Sequence, residues 1–506
     1  MDPSSTEPKV PHRALITGCV MLATLMQALD STIANVALPY MQGSMSASAE
    51  EITWVLTSYV IAAAIMTAPV GWMAVRFGRK KLYIVCLAGF TITSMMCGAA
   101  QNLQQIVVFR LLQGMCGAAL GPLAQATMLD IYPYSRRPHA MAIFSSGVTM
   151  GPLMGPTLGG YLTDWYNWRY VFYVNLPFGI LAIVGLLLFM PNTKPRQGLR
   201  FSWAGFAMLA LALGALQLML DRGEEQDWFT SREIIIEAVL AGLGFYLFIV
   251  HMFTAEKPFL PPAMFRDRNF VAAFIMVVCI SSVMLATSAL LAPYLQNLAG
   301  YPVYTAGLSL SPRSFGTVAS MFLAALLSKW IDQRKLMAIG FVILGWALHA
   351  MSAWTPDVTE AQMIATLVIQ GLSIGLVFNP LAVIAFSTLA PHFRGDGTAL
   401  QALARNIGAA IGISVTSFTL ERSAQAMHAD IAAGITPFDR LLQHTGAARI
   451  YDLATQHGAA LLNQEITRQS QIIAYNNDFH MMAFIVVPPL LLILLMRGTK
   501  VASPRG

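Results

Sequence analysis

LDSTIANVALP, Leu29–Pro39, closes an apolar run that begins near Ala14, and it carries an acid, Asp30. On a helix rising about 1.5 Å per residue, Asp30 lies roughly 12 Å inside the outer end of that run. A carboxylate at such a depth in lipid is strongly disfavoured, so ionisable residues there face a cavity and mark an ion or proton path. Asp30 is therefore a candidate for taking up and releasing a proton. The plainer alternative is a structural acid paired with a neighbouring Arg. Gln27 and Asn35 stand on the same run and supply uncharged polar groups for a cavity wall.

The rest of the chain agrees with a membrane setting. Of 506 residues, 56% are hydrophobic and 11% charged, and mean hydropathy is +0.60. Soluble domains carry about 25% charged residues. The polar stretch Met1–Arg13 followed by a long apolar run does not resemble a cleaved secretory signal, so the run is expected to stay as a spanner. Spanners need about 20 apolar residues each, and about fourteen such runs are present. With both termini inside, most of the 31 Lys and Arg fall in inner loops, and the short outer loops hold only Arg169, Arg222 and Arg232. That bias sets the orientation and explains the net charge of +6 without a nucleic-acid partner. Acids in the short outer loops complement it, which leaves Asp30 as the only acid expected deep in the membrane. Trp54 and Tyr59 suit an interfacial belt or a cavity wall. The five cysteines all lie in apolar runs without ligand spacing and read as packing residues.

GWMAVRFGRKK, Gly71–Lys81, is a short basic loop whose glycines permit a tight turn. It resembles the loop between the second and third helices of the major facilitator superfamily, G-x-x-x-D-R-x-G-R-K, at Gly71, Arg76, Gly78, Arg79 and Lys80. The family's acid position holds Val75, which leaves the family's inner charge latch without that acid. RLLQGMCGAALGPL from Arg110 resembles the R-x-x-Q-G motif of the superfamily's drug:proton antiporters, in which the Arg is implicated in proton transfer. Arg110 lies about 9 Å from the outer end of its span, close to the depth of Asp30. A buried Arg needs a partner, and Asp30 is the deep acid on offer. Gln113 follows one turn later. A static ion pair would look the same.

GVTMGPLMGPTLGG, Gly147–Gly160, places Gly147, Gly151, Gly155 and Gly159 on one helix face, suited to close helix pairing in lipid. Pro152 and Pro156 each remove a backbone donor and are expected to kink the helix. With Gly160, the stretch resembles the antiporter motif of the superfamily's exporters, which its symporters lack. The second half echoes the first, as transporter repeats do: QGLSIGLVFNPL from Gln370 against QGMCGAALGPL from Gln113. Arg313, in LSPRSFG, and Arg405, in ALARNIGAAIG, lie within spans, and either is read as binding an anionic substrate, balancing Asp30 or packing on carbonyls. RNIGAAIG resembles the corresponding helix of the fourteen-helix drug:proton antiporters. Asn379 adds a further cavity candidate.

The resemblance implies an all-α membrane protein of the major facilitator fold. Two six-helix bundles, 14–190 and 269–496, would flank a central cavity. Linkers and two inserted helices would occupy 191–268, an outer loop 421–478, and cytoplasmic tails 1–13 and 497–506. It implies a proton-coupled antiporter that exports drugs or other amphipathic small molecules by alternating access across the bacterial inner membrane. The outer loop, read as a helical pair on Ile450, Leu453, Leu461, Leu462, Ile466 and Ile473 and ending in QSQIIAYNNDF, would meet a periplasmic membrane-fusion adaptor and, through it, an outer-membrane channel. Membrane lipids are the other expected partner. A dedicated exporter of one metabolite, lipid or siderophore would share every motif. An uptake symporter fits the Gly-Pro helix poorly, and a non-transporting receptor would need a sensor in the outer loop. The absence of a Ser/His/Asp set, a nucleotide loop and His/Cys metal spacing argues against an enzyme, a cofactor or a metal.

Overall fold

The structure is a computed structural model that describes residues 11–193, 195–196, 201–355, 358–435, 451 and 455–496. Among the described residues it is all-helical. Twelve helices are long and apolar enough to cross a membrane, or thirteen when one bent pair is taken as a single span.

The first half runs through α1 (Arg13–Met45), α2 (Ala49–Thr67), α3 (Val70–Phe77), α4 (Arg79–Ala99), α5 (Leu103–Gly117), α6 (Leu120–Ile131), α7 (Arg137–Trp165), α8 (Tyr170–Tyr173) and α9 (Asn175–Phe189). Local chemistry explains the starts. Ser48 and Glu51 form a reciprocal capping box at α2, and Asn102 accepts from Gln105 N to open α5. α2 and α3 form one apolar stretch bent by 59° at the break between them. Gly78, at φ 87°, turns the chain sharply between α3 and α4. α7 continues through Pro152 and Pro156 as one helix.

α10 (Trp203–Arg222) and α11 (Arg232–Thr254) form the inserted pair, with Gly244 set directly against the Ala212 backbone. The second half comprises α12 (Arg268–Pro293), α13 (Val303–Leu327), α14 (Gln333–Met351), α15 (Glu360–Ala385), α16 (Arg394–Gly434), α17 (Gln456–Ile485) and α18 (Val487–Ile493). A single 3₁₀ turn precedes both α7 (Tyr134–Arg136) and α16 (Pro391–Phe393), at the places where the sequence repeats.

The stretch read as an outer loop is largely two helical extensions. α16 has 41 residues, hence about 60 Å, against about 30 Å of hydrocarbon. It ends at Gly434, where the sequence turns to breakers. α17 starts at Gln456, and the His428 ring bonds Asn463 at 3.1 Å to tie the two together. Ile466 is buried and Leu461 and Leu462 are half-buried, whereas Ile473 is exposed. Ile450 and Leu453 lie outside the described residues.

The halves meet at the end carrying the basic loop. Gln125 Nε2 donates to Gln401 Oε1 at 3.4 Å, and Ser146 reaches Met321 Sδ at 3.8 Å. Ala142, Met321 and Ala325 form a small buried cluster with Phe378 packed on it. Asp130 of α6 pairs with Arg79 and, at 3.4 Å, with Arg394 of α16. A Cβ on Gly71 would fall 2.7 Å from the Asp396 backbone, so α3 and α16 touch there. Val75 is 39% exposed and takes no part. The acids at this closure come from the ends of α6 and α16.

Candidate functional site

α1 presents two faces. Ser31 and Asn35 are exposed and Gln27 half-buried, at helical spacing, so they form a polar stripe. Asp30 lies about a quarter-turn around the helix from that stripe, at 0% exposure, and points into the first half. This departs from the expectation of an acid facing the cavity.

Four neighbouring helices supply what surrounds it. Arg110 of α5 donates from Nη1 to Asp30 Oδ2 at 2.7 Å, and its own exposure is 1%. It also donates to Gln113 Oε1 at 2.9 Å and, through Nε, to the Val55 carbonyl of α2 at 3.1 Å. Gln113, one turn from Arg110, donates from Nε2 to Asp30 Oδ1 at 2.9 Å. Asn175, the first residue of α9, donates to the same oxygen at 2.8 Å and to Ser94 Oγ of α4 at 2.9 Å. Ser94 in turn donates to the Phe172 carbonyl at 2.9 Å. The Arg110 guanidinium carbon stands 4.2 Å from the Tyr59 ring centre, which adds a cation–π contact. Three donors converging on one carboxylate suit its charged form, and taking charge out of water is offset only by such complete pairing. Tyr59 is 4% exposed and belongs to this site; it is neither a belt nor a cavity wall. Gln113 likewise faces Asp30 instead of lining a cavity.

The glycine face of α7 holds α1 in place. A Cβ on Gly151 would lie 2.6 Å from the Ala28 carbonyl carbon and 2.7 Å from Leu29 N. One on Gly155 would meet Thr32 Cβ at 2.9 Å, and one on Gly159 the Ile33 carbonyl at 3.0 Å. Asp30 is thus level with the two tightest points of the α1–α7 seam. Gly160 meets nothing within 4 Å, and Gly147 meets only the tip of Met21.

The second half repeats this frame without its charges. Gly408 and Gly412 press on Val278 and Ser282 of α12 as Gly151 and Gly155 press on Ala28 and Thr32, which sets Ile280 at the place of Asp30. Gly371 presses on the Arg313 carbonyl as Gly114 presses on that of Tyr59, which sets Leu367 at the place of Arg110. Gln370, the counterpart of Gln113, is fully buried, and both its amide atoms lack a partner among the described residues.

The remaining candidates separate. Arg313 donates to Ser288 Oγ and the Met284 carbonyl of α12, both at 3.0 Å, so it packs on α12 and does not balance Asp30. Asn379 is 1% exposed and donates to the Met321 carbonyl at 2.8 Å near the closure, not in an open cavity. Arg405 is half-buried, one turn beyond Gln401 on the same face of α16. It makes no ion pair among the described residues. Of the motif residues, Arg79 enters the closure, Lys80 donates to the Leu187 carbonyl at 2.8 Å, and Arg76 stays half-buried.

Asp30 is not the only buried acid. Asp478 of α17 is 1% exposed; Thr419 donates to its Oδ1 at 2.6 Å, and Oδ2 has no partner among the described residues. Glu237 of α11 is 8% exposed, with Oε2 unpartnered among the described residues. Asn175 and Ser94 were also absent from the sequence candidates. Asn175 carried one faint signal, a lone amide before a Pro in an apolar run, VNLPF.

Comparison with known proteins agrees with the fold. The chain is 32% identical over 477 residues to the multidrug export protein EmrB of Escherichia coli K12, covering 93% of this chain and 92% of that one. It is 33% identical over 492 residues to the fatty acid resistance protein FarB of Neisseria gonorrhoeae, covering 94% and 95%. Among solved structures it resembles the human organic anion transporter MFSD10 at TM-score 0.62 and 13% identity, covering 96% and 100%. It also resembles the proton:xylose symporter XylE at TM-score 0.59 and 15% identity, covering 94% and 95%. The family model described as Major Facilitator Superfamily matches residues 20–413. With its fold, its paired motifs and these relatives, the chain is a multi-pass membrane protein that belongs to the Major Facilitator Superfamily, a family of transporters and not of enzymes.

Proposed function

We propose that this protein is a proton-coupled antiporter of the bacterial inner membrane that exports amphipathic small molecules by alternating access. The observation that carries the reading is the enclosed Asp30–Arg110 pair, locked by Gln113 and Asn175 and clasped by the α7 glycine face. In the conformation seen, the basic-loop end is shut, which the positive charge bias makes the inner end. Proton entry from outside would neutralise Asp30 and remove its hold on Arg110. The loosened α1–α5 contact then permits the halves to rock, and release of the proton inside restores the pair. Each charge moved inward gains about 2.3 kcal/mol per 100 mV. α7, α2 with α3, and the twelve apolar helices together make a fourteen-span reading, with both termini inside.

The names of the multidrug export and fatty acid resistance relatives favour drugs and amphiphiles as cargo. Arg405, beside the closure and without an ion pair among the described residues, favours carboxylate-bearing amphiphiles within that class, and a dedicated exporter of one such compound is the second reading. Asn35, Gln27 and Ser31 would line the path opposite. The helical extensions of α16 and α17 rise beyond the bilayer and offer a surface for a periplasmic adaptor leading to an outer-membrane channel. Purified protein in proteoliposomes with an imposed pH gradient tests the reading: gradient-driven movement of a lipophilic weak acid or cation is expected, and movement indifferent to the gradient would overturn it.

A further inference from the structure

The basic loop holds more positive charge than its ion pairs use. Arg79 is taken by Asp130, but Arg76, Lys80 and Lys81 line a cavity of about 340 Å³ whose other wall is Asn192, Thr193 and Pro195 from the linker after α9. No carboxylate lines it, and none pairs with those three cations among the described residues. Val75, next to Arg76 in the chain, brings no acid to them, and no acid among the described residues competes for them.

The cavity is a built one. The linker folds back so that Arg196 N donates to the Val75 carbonyl at 3.0 Å and Lys80 N to Thr193 Oγ1 at 3.4 Å. Gly78 permits this approach, since a Cβ there would fall 2.8 Å from the Thr193 carbonyl. Lys80 Nζ is fixed at the rim by the Leu187 carbonyl and has donors to spare. Just beside the cations, Phe77, Leu187 and Leu188 are 47%, 51% and 70% exposed, as suits side chains that meet acyl chains. A cation-lined recess adjoining an apolar rim matches a phospholipid, with its phosphate above and its tails below.

We propose that this cavity binds a phosphate group, that of an anionic phospholipid in the leaflet at the basic end. Arg76 and Lys81 neutralise the phosphate, and Asn192 and Thr193 bond the rest of the headgroup. Because the loop adjoins the Gly71–Asp396 contact, an occupied site would brace the closure of the two halves.

The test uses the purified full-length chain and native mass spectrometry with phosphatidylglycerol, phosphatidylcholine and inorganic phosphate offered separately and in competition. The double variant Arg76→Gln/Lys81→Gln should hold phosphatidylglycerol about thirtyfold more weakly, five- to sixfold per cation. Each single variant should show its own share. Lys329→Gln/Lys335→Gln removes the same charge near the corresponding loop of the second half, and should stay within about threefold of the parent. Among the described residues the Arg76 and Lys81 side chains anchor no hydrogen bond, so all four variants should melt with the parent. Phosphatidylglycerol that millimolar phosphate leaves in place assigns the site to lipid; displacement by phosphate in the parent, but not in the double variant, assigns it to free phosphate. Retention of phosphatidylglycerol by the double variant, an equal loss in the control, or equal binding of phosphatidylcholine would overturn the proposal.

Discussion

Replacing Gly151 or Gly155 with Ala tests how the seam between α1 and α7 supports the buried ion pair. The added Cβ at Gly151 would sit 2.6 Å from a backbone carbon of Ala28, and that at Gly155 2.9 Å from Thr32 Cβ. Carbon atoms settle at about 3.5–4.0 Å, so α1 must retreat by about 1 Å. Backbone cannot swing aside as a side-chain tip does, and overpacking of this kind costs about 1–3 kcal/mol. Asp30 is level with the two contacts but faces away from α7, so the same shift presses it against donors now at 2.7, 2.9 and 2.8 Å. An approach of about 1 Å is far inside the roughly 2.7 Å lower limit of such bonds, so the carboxylate must turn and the three-donor geometry is lost. Gly160→Ala is the control: nothing lies within 4 Å of its Cβ, and the gain in helix propensity makes it neutral or stabilising by up to about 1 kcal/mol. Gly147→Ala meets only the Met21 tip, which can turn away, and should fall between. Unfolding of the full chain in mixed micelles gives the stability order, and gradient-driven transport in proteoliposomes should follow the same order. If Gly151→Ala and Gly155→Ala match Gly160→Ala within about 0.5 kcal/mol, the seam does not hold the site and the reasoning fails.

Other outcomes follow from the same geometry. Arg110→Gln or Asp30→Asn alone strands a buried partner and should destabilise by about 3–5 kcal/mol, whereas the double variant should recover part of that in a thermodynamic cycle; strict additivity would contradict a direct pair. Asp130→Asn frees Arg79 and Arg394, but those groups are partly exposed, so the effect is at most about 1 kcal/mol, or a fivefold shift toward an open basic end. Spin-label distances between α3 and the start of α16 would read it, and an unchanged distribution would dismiss the latch. Arg405→Gln should lower export of carboxylate amphiphiles several-fold while sparing lipophilic cations; equal loss of both would remove Arg405 from substrate choice.

Depth along an apolar run was enough to single out Asp30 and Arg110, because burying a charge in lipid is so costly that two at one level imply a partnership. Facing is another matter. Gln113 and Asn379 sit at plausible depths, yet both turn into packed interiors, and nothing in a uniformly apolar helix tells the cavity side from the bundle side. Tyr59 resembles every interfacial tyrosine until Arg110 is laid over its ring. Asn175 and Ser94 are single uncharged polar residues, which lipid-facing and interior helices tolerate alike. Asp478 went unseen because the last apolar run begins only at Phe479, and the helix that buries it starts far earlier. α16 and α17 leave the apolar zone with mixed sequence, so their outer turns read as loop although the helices simply continue.

Proton movement through Asp30 is the centre of the account. In proteoliposomes containing the full-length chain and a pH-sensitive dye, adding substrate on the inner-facing side should release a proton flux that Asp30→Asn abolishes, while substrate binding measured separately persists. A variant that still exchanges protons for substrate at the parent's rate would contradict it.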